Sequence, residues 1–167
     1  FTMTGREDLY QWAGPYLYSR QVVAVRTDSG IQTLADLAGR RVAVQATGKP
    51  EALFLTSSAP GVSQVEAVYS FSTMDEVYAC LRKGYADAIA GHENALRLFL
   101  ASSPGSYRIL DQTMDVSQLG VAFQKNTHKE LAQALTQTLA EMEADGTTRA
   151  ILERYGLDAD RALGVTP

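Results

Sequence analysis

Four charged or titratable residues of this sequence stand where they could contact a ligand: Arg6, Lys49, His92 and Glu93. His92 and Glu93 follow residues 86–90, a short apolar segment typical of a buried strand, and polar groups just beyond a strand's carboxyl end are well placed for binding. Lys49 stands at a predicted helix start, where the helix dipole disfavours a cation unless an anion offsets it. Each residue is also consistent with an ordinary surface role, so the residues alone leave both interpretations open.

The sequence lacks the short motifs of nucleotide-binding proteins and hydrolases: it has no GxGxxG, Walker loop, GxSxG or HExxH. Cys80 is the only cysteine, which excludes an internal disulfide framework and a multi-thiolate metal site. Because Cys80 is predicted inside a helix, we expect a buried structural thiol. His92 and His128 are the only histidines and cannot form a multi-histidine site without carboxylates. We therefore predict no metal, no cofactor and no catalytic residues.

The composition is that of a globular protein of about one domain. The chain has 167 residues, of which 46% are hydrophobic and 20% charged, so it is not of the disordered class. Its net charge is -4, from 15 basic and 19 acidic residues, and there is no basic block, which argues against nucleic acid as a partner. No apolar run approaches the roughly 20 residues that span a bilayer.

The four residues depend for their positions on strands that alternate with helices. Apolar runs predict strands at residues 21–26, 41–45, 62–69, 86–90, 107–110 and 120–124. Capping boxes formed by Thr73 with Glu76 and by Thr127 with Glu130 predict two of the helices, and Pro50 suits the first turn of a third. Further helices are predicted at residues 34–37, 94–100 and 147–155. This alternation predicts an α/β unit with a largely parallel sheet, which directs attention to the loops after Gln45 and Ala90.

Five sets of segments carry a further pattern, by their order and spacing. They are FTMTGR with WAGPY (1–16), SGI with TLADLAGRRVAVQ (29–45), LRKGYADA (81–88), LGVAF (119–123) and ADGT with ERY (144–155). Together they resemble the signature segments of family 3 extracellular solute-binding proteins, the polar amino-acid binding components of bacterial ABC importers. The resemblance covers essentially the whole chain.

The resemblance implies a type II periplasmic-binding-protein-like clamshell of two lobes that closes on a small ligand. It also implies that the first third of lobe 1 lies before Phe1. By this interpretation residues 1–15 are part of lobe 1, 16–20 a hinge crossing, 21–115 a nearly complete lobe 2, 116–119 the second crossing, 120–158 the C-terminal part of lobe 1, and 159–167 a frayed tail.

The resemblance also implies ligand contacts. Arg6 matches the arginine that grips the ligand's α-carboxylate, and Thr2 lies in the same motif, which is one residue shorter here than usual. Gln45, Thr47 and Lys49 fall on the ligand-facing loop after the second strand, with Lys49 in place of a threonine. His92 stands where an acidic residue normally pairs with the ligand's ammonium, and Glu93 next to it is the alternative carboxylate.

Three functions follow from the resemblance. The first is extracytoplasmic binding of a small polar solute, periplasmic or extracellular in a bacterium, for an ABC permease. The second is ligand sensing as a domain attached to a membrane receptor such as a histidine kinase, and the third, less favoured, is a dehydratase of the cyclohexadienyl type with His92 or Glu93 as general acid.

The matched positions also bear on the class of ligand and on self-association. Relative to the family pattern the inferred pocket gains a cation at Lys49 and loses an anion at His92, which favours a carboxylate or dicarboxylate over a free α-amino acid. The alternative is that ligand binding has been lost in favour of a contact with a partner. A helix predicted over residues 127–143 carries the apolar stripe Leu131, Leu135, Leu139 and Met142. We expect this stripe to be covered by another chain or by further lobe 1 residues.

Overall fold

The protein contains a five-stranded mixed sheet. The computed structural model describes residues 1–59, 61–62 and 64–165. Its strands are β1 (Tyr10–Arg26), β2 (Arg41–Gln45), β3 (Ala67–Phe71), β4 (Ala88–His92) and β5 (Tyr107–Gln124), in the spatial order β3-β2-β4-β1-β5. β2 is parallel to β3 and β4, whereas β1 is antiparallel to β4. The prediction of a largely parallel sheet is therefore wrong for β1, because only β2, β3 and β4 are linked by crossover helices.

The helices are a 3₁₀ helix (Leu34–Leu37), α1 (Lys49–Leu55), α2 (Met74–Arg82), α3 (Glu93–Ala101), α4 (Lys129–Ala144), α5 (Thr147–Arg154) and α6 (Ala159–Ala162). The capping box of Thr73 and Glu76 at the start of α2 is confirmed. The second predicted box is wrong: His128 occupies the N-cap of α4 with φ of 50°, and the Thr127 hydroxyl instead donates to the Gln124 carbonyl. The α4 helix therefore begins without a side-chain cap.

Five of the six predicted strands differ from the structure in their bounds. The strand predicted at 21–26 is the end of β1, which begins at Tyr10. In the predicted segment 62–69, of which residue 63 lies outside the described residues, the strand begins at Ala67. Before it the Gln64 carbonyl accepts from Gly39 and the Glu66 amide donates to Arg40, in the turn before β2. Residues 107–110 and 120–124 belong to one strand, β5, since no proline or tight turn interrupts the backbone between them. The strand predicted at 86–90 is β4, two residues later, so His92 is its last residue.

The chain forms two compact units, which we call the central unit (Arg20–Asp115) and the terminal unit (Phe1–Ser19 with the chain from Val116 onward). In the central unit the sheet is covered on both faces. One face buries Val23, Val25, Val42 and Val44 beneath α1 and the 3₁₀ helix, and the other buries Val22, Ala43 and Ile89 beneath α2 and α3. This alternation along β1 and β2 is the period of two expected of a strand with both faces buried.

The terminal unit has a smaller buried core. Leu152, Ala159 and Ala162 form its cluster, with Leu17 packed against them. The predicted frayed tail is wrong at residues 159–162, where α6 forms because Asp158 caps it and two alanines pack on α5. Residues 166 and 167 lie outside the described part of the chain.

The apolar stripe lies on α4 as predicted, although the helix runs from Lys129 to Ala144 rather than over 127–143. Leu131 is 54% exposed, and Leu135, Leu139 and Met142 are half-buried. Within the described residues, no helix combines the length and the apolar character that a membrane crossing requires.

Candidate functional site

The ends of β2 and β4 form one edge of the central unit. The two strands are parallel neighbours, with Val44 paired to Ala90, so their carboxyl ends lie on the same side of the sheet. Gln45 ends β2 and His92 ends β4. We call this region, Gln45–Lys49 with His92–Glu93, the β2–β4 edge; it holds five of the seven site residues that the sequence predicts.

The loop after β2 is held by backbone and side-chain hydrogen bonds. Gln45 is exposed, and its side-chain amide donates to the Ser72 carbonyl. Thr47 has φ of 60°, a strained conformation for a β-branched residue, and its amide donates to Oε2 of Glu51 over 2.6 Å. Hydrogen bonds from Ser70 and from this amide hold the pKa of Glu51 below its usual range. The Thr47 amide therefore already donates its hydrogen bond to a carboxylate of the protein itself.

Lys49, the first residue of α1, has a carboxylate partner. Its Nζ lies 3.7 Å from Oδ1 of Asp115, and the lysine side chain is 42% exposed. The sequence-based count of charges included Lys49 but neither Asp115 nor Glu51. With these two carboxylates, the β2 end of the edge does not carry the excess positive charge that the sequence alone suggested.

His92 lies against a buried amide. The antiparallel register places Gln21 of β1 directly opposite His92, and Gln21 Nε2 is 3.0 Å from the ring Nδ1. The same amide nitrogen lies 3.5 Å from the ring Nε2, so Gln21 contacts both nitrogens of the imidazole. His92 keeps exposed surface as a residue, yet burial of its ring lowers the pKa below the usual range. The imidazole of His92 is therefore neutral at pH 7.

Glu93, the first residue of α3, is buried and already bonded. Its Oε1 accepts from Nε and Nη2 of Arg97 over 2.9 and 2.6 Å, one turn further along the helix. The glutamate side chain is only 7% exposed, whereas Arg97 is 44% exposed. A ligand ammonium at Glu93 would have to replace a short charge-assisted bond within the protein.

The remaining two predicted site residues lie in the terminal unit. Thr2 forms an isolated bridge with Leu119 and is half-buried. Arg6 is exposed, its carbonyl accepts from the Trp12 indole, and it borders a cavity of about 260 Å³ with Phe1, Tyr10 and Trp12. Aromatic rings beside a guanidinium could hold an apolar group with an anionic end.

The described residues contain no cluster of three or more His, Cys, Asp or Glu side chains that could hold a metal ion. Cys80 is buried in α2, as predicted, and burial raises the pKa of its thiol. The arrangement at the β2–β4 edge offers hydrogen bonds and charges to a small polar molecule and shows no pair of nucleophile and base.

Residues 13–162 match the sequence pattern of a protein family described as "ABC transporter, phosphonate, periplasmic substrate-binding protein". The chain belongs to this family. The resemblance to solute-binding proteins predicted from the sequence segments is thereby confirmed, and so is the extracytoplasmic class of protein.

Individual relatives of this chain are named for amino acids. Glutamate-binding protein GluB of Corynebacterium efficiens is 28% identical over 98% of this chain and 56% of its own length. The glutamine-binding protein of Geobacillus stearothermophilus is 30% identical over 74% of this chain and 45% of its own length. A crystal structure of a mutant ArgBP from T. maritima is 26% identical with a TM-score of 0.73, over 93% of this chain and 66% of that one.

These relatives bear on the class of protein and on the fold class. The chain spans about half the length of the curated relatives that it matches, and each of those reported is a binding protein rather than an enzyme. The predicted α/β fold of the type II periplasmic binding proteins is confirmed by the structural match.

The structure adds four residues to the edge that sequence reasoning did not select. Glu51 and Arg97 each lie four positions from a partner, Thr47 and Glu93, so helical spacing could have found them. Gln21 gave a weaker signal, as an amide beside a valine run. Asp115 is distant from Lys49 in sequence, and no local pattern predicts this pairing.

Proposed function

We propose that this chain binds a small polar solute outside the cytoplasm, with the β2–β4 edge as its recognition surface, and delivers the solute to an ABC permease. The observation that carries the proposal is the convergence of Gln45, Thr47, Lys49, His92 and Glu93 on one edge of the central unit. Carboxyl ends of parallel strands are where α/β sheets bind ligands. Arg6 and Thr2 are the candidate residues of the terminal unit.

The side chains that this edge offers to a solute are either neutral or have their charge balanced by a partner within the protein. Gln45 offers an exposed amide, Lys49 an ammonium balanced by Asp115, and His92 a neutral imidazole. Such groups suit a solute with carboxylate or carbonyl oxygens. We propose an amino acid or an organic carboxylate as the solute, because two of the relatives are named for glutamate and glutamine.

Delivery to a permease is favoured over attachment to a membrane sensor because the family is described as an ABC-transporter component. A periplasmic or extracellular site in a bacterium is part of the same proposal. The half-exposed face of α4 supports a separate prediction, that the protein self-associates through this helix. Sedimentation of the native protein and of a Leu131→Glu variant, compared at the same concentration, tests it.

The test of the proposed function is calorimetric titration of the full-length protein with panels of amino acids and organic acids. Variants at His92 and Lys49 carry alanine, and Lys83→Ala, an exposed lysine at the end of α2, is the control. We expect micromolar binding of at least one carboxylate-bearing solute, weakened by His92→Ala and unchanged by Lys83→Ala. Failure of both panels to bind contradicts the proposal. Binding of a neutral amino acid that is abolished by His92→Ala, but not by Lys49→Ala, contradicts a preference for anions.

A further inference from the structure

Glu51 ties the loop after β2 to two other elements of the central unit. Its Oε2 accepts from the Thr47 amide over 2.6 Å, and its carboxylate also accepts from the Ser70 hydroxyl. Ser70 belongs to β3, the outermost strand of the sheet, where it lies opposite Val44 of β2. One half-buried side chain in the first turn of α1 therefore joins the loop, the helix and the sheet.

The loop makes a tight turn that a threonine does not favour. The Gly48 amide donates to the Gln45 carbonyl over 3.3 Å and closes a turn over residues 45–48, with Thr47 in its third position at φ of 60°. Turns with a positive φ at the third residue normally carry glycine or asparagine there. A residue with a Cβ populates the left-handed region about tenfold less readily, and the branched Cβ of threonine adds to the crowding.

The alternative to this turn is a flip of the peptide between Ala46 and Thr47, which brings Thr47 to a negative φ. In a planar trans peptide the C=O and the N–H point in opposite directions, so the flip exchanges their places. The Ala46 carbonyl oxygen would then face the Glu51 carboxylate, and two acceptors make no hydrogen bond with each other. The carboxylate therefore favours the observed turn over the flipped one.

We propose that Glu51 is a positioning residue, which keeps the Ala46–Thr47 peptide in the orientation that solute binding requires. The inference rests on the proposed function in placing the solute at the β2–β4 edge. A flip would redirect the Ala46 carbonyl and the Thr47 side chain, and Thr47 is one of the residues that converge on this edge. Glu51 thereby acts on the solute through the loop, without touching the solute itself.

A positioning role and a plain effect of the Glu51 charge have different consequences for the solute. If the turn is lost, the loop should bind charged and neutral solutes less well alike. If only a nearby negative charge is lost, an anion should bind better and a neutral solute equally well. L-glutamate and L-glutamine have nearly the same shape and differ by one charge, so this pair separates the two effects. Methylphosphonate is a third probe, since phosphonate stands in the family's description.

The experiment is a double-mutant cycle in the full-length protein, formed by the native protein, Glu51→Ala, Thr47→Gly and the double variant. Calorimetric titration with the three probes gives the affinities. In the proteins that keep Thr47, proton spectra give the distance between its amide and α protons, which is shorter at a positive φ than at a negative one.

Two further variants are controls. Glu51→Gln is the conservative change, because its amide oxygen can still accept from the Thr47 amide. Glu66→Ala removes another exposed carboxylate, one residue before β3. Thermal unfolding of each variant checks that it is folded.

In Glu51→Ala we expect a longer distance between the two protons of Thr47, and an affinity about tenfold lower for every probe that the native protein binds. In the Thr47→Gly background the same change should alter the affinity by less than about twofold, because glycine makes this turn without help. Glu51→Gln and Glu66→Ala should bind as the native protein does.

Equal losses of affinity from Glu51→Ala in the two backgrounds would overturn the inference, as would an unchanged proton distance at Thr47. Tighter binding of glutamate together with unchanged binding of glutamine would also overturn it, because the charge alone explains that result. If none of the three probes binds the native protein, the proposed function fails for these solutes, and the distance at Thr47 still decides whether Glu51 holds the turn.

Discussion

The two strand ends of the β2–β4 edge satisfy their polar groups in different ways. At the β2 end the partners are exposed or half-exposed: Glu51 holds the Thr47 amide, and Lys49 lies near Asp115. At the β4 end one member of each pair is buried: Glu93, which pairs with the exposed Arg97, and Gln21, which lies against His92. Solvent and salt weaken exposed pairs, whereas a buried group that loses its partner is costly. The β4 end should therefore dominate both stability and specificity.

The largest expected effect is that of Arg97→Ala at the β4 end. The change removes the two hydrogen bonds that Arg97 donates to the buried Glu93 carboxylate, and we expect a loss of about 3 kcal/mol in the free energy of unfolding. Urea denaturation measures it. The double variant Glu93→Gln with Arg97→Met is the control and should recover more than half of the loss. A single-variant loss below about 1 kcal/mol would show that this pair is as weak as a surface pair.

Thr47→Gly tests the strained backbone at the β2 end. Glycine adopts a positive φ without steric cost, so relief of the strain at φ of 60° should raise the free energy of unfolding by about 1 kcal/mol. Thermal unfolding of the variant measures the gain, and Thr127→Gly, outside the left-handed region, is the control and should be destabilising. Equal destabilisation by both changes would mean that Thr47 is not strained.

The pH dependence of stability tests His92 itself. Its pKa in the folded protein is below the unfolded value of about 6.5, so the unfolded chain binds the proton first. Stability from the neutral ring is complete above pH 6.5 and falls as the pH drops from there to the folded pKa. The difference in denaturation midpoint between the native protein and His92→Gln should narrow or change sign over this window. A constant difference from pH 8 to pH 5 would contradict the shift.

Lys49→Ala should have the smallest effect. The ammonium is 42% exposed and 3.7 Å from Asp115, so we expect a change within about 0.5 kcal/mol that vanishes in high salt. Denaturation in low and high salt measures it. A loss equal to that of Arg97→Ala would remove the difference between the two strand ends.

The parts of this edge that could be predicted are those with local signals. β2 was predicted at its observed bounds because a valine run is closed by turn residues, and the capping box of Thr73 identified the start of α2. Gln21 and Asp115 could not be predicted as partners of His92 and Lys49, because the pairing of β1 with β4 and the fold of the central unit create these contacts. The single strand β5 was divided in the prediction because polar residues within it resemble a turn.

The most direct test of solute binding at the β2–β4 edge is a map of backbone amide shifts during titration of the full-length protein with the solute that binds most tightly. The proposal predicts the largest shifts in the central unit at Gln45, Thr47, His92 and Glu93, with little change at Lys83 and Tyr85. The central unit also has a cavity of about 270 Å³ between α1 and β3, lined by Leu53, Phe54, Val62 and Val65. Shifts confined to that cavity, with the β2–β4 edge unchanged, would contradict the account.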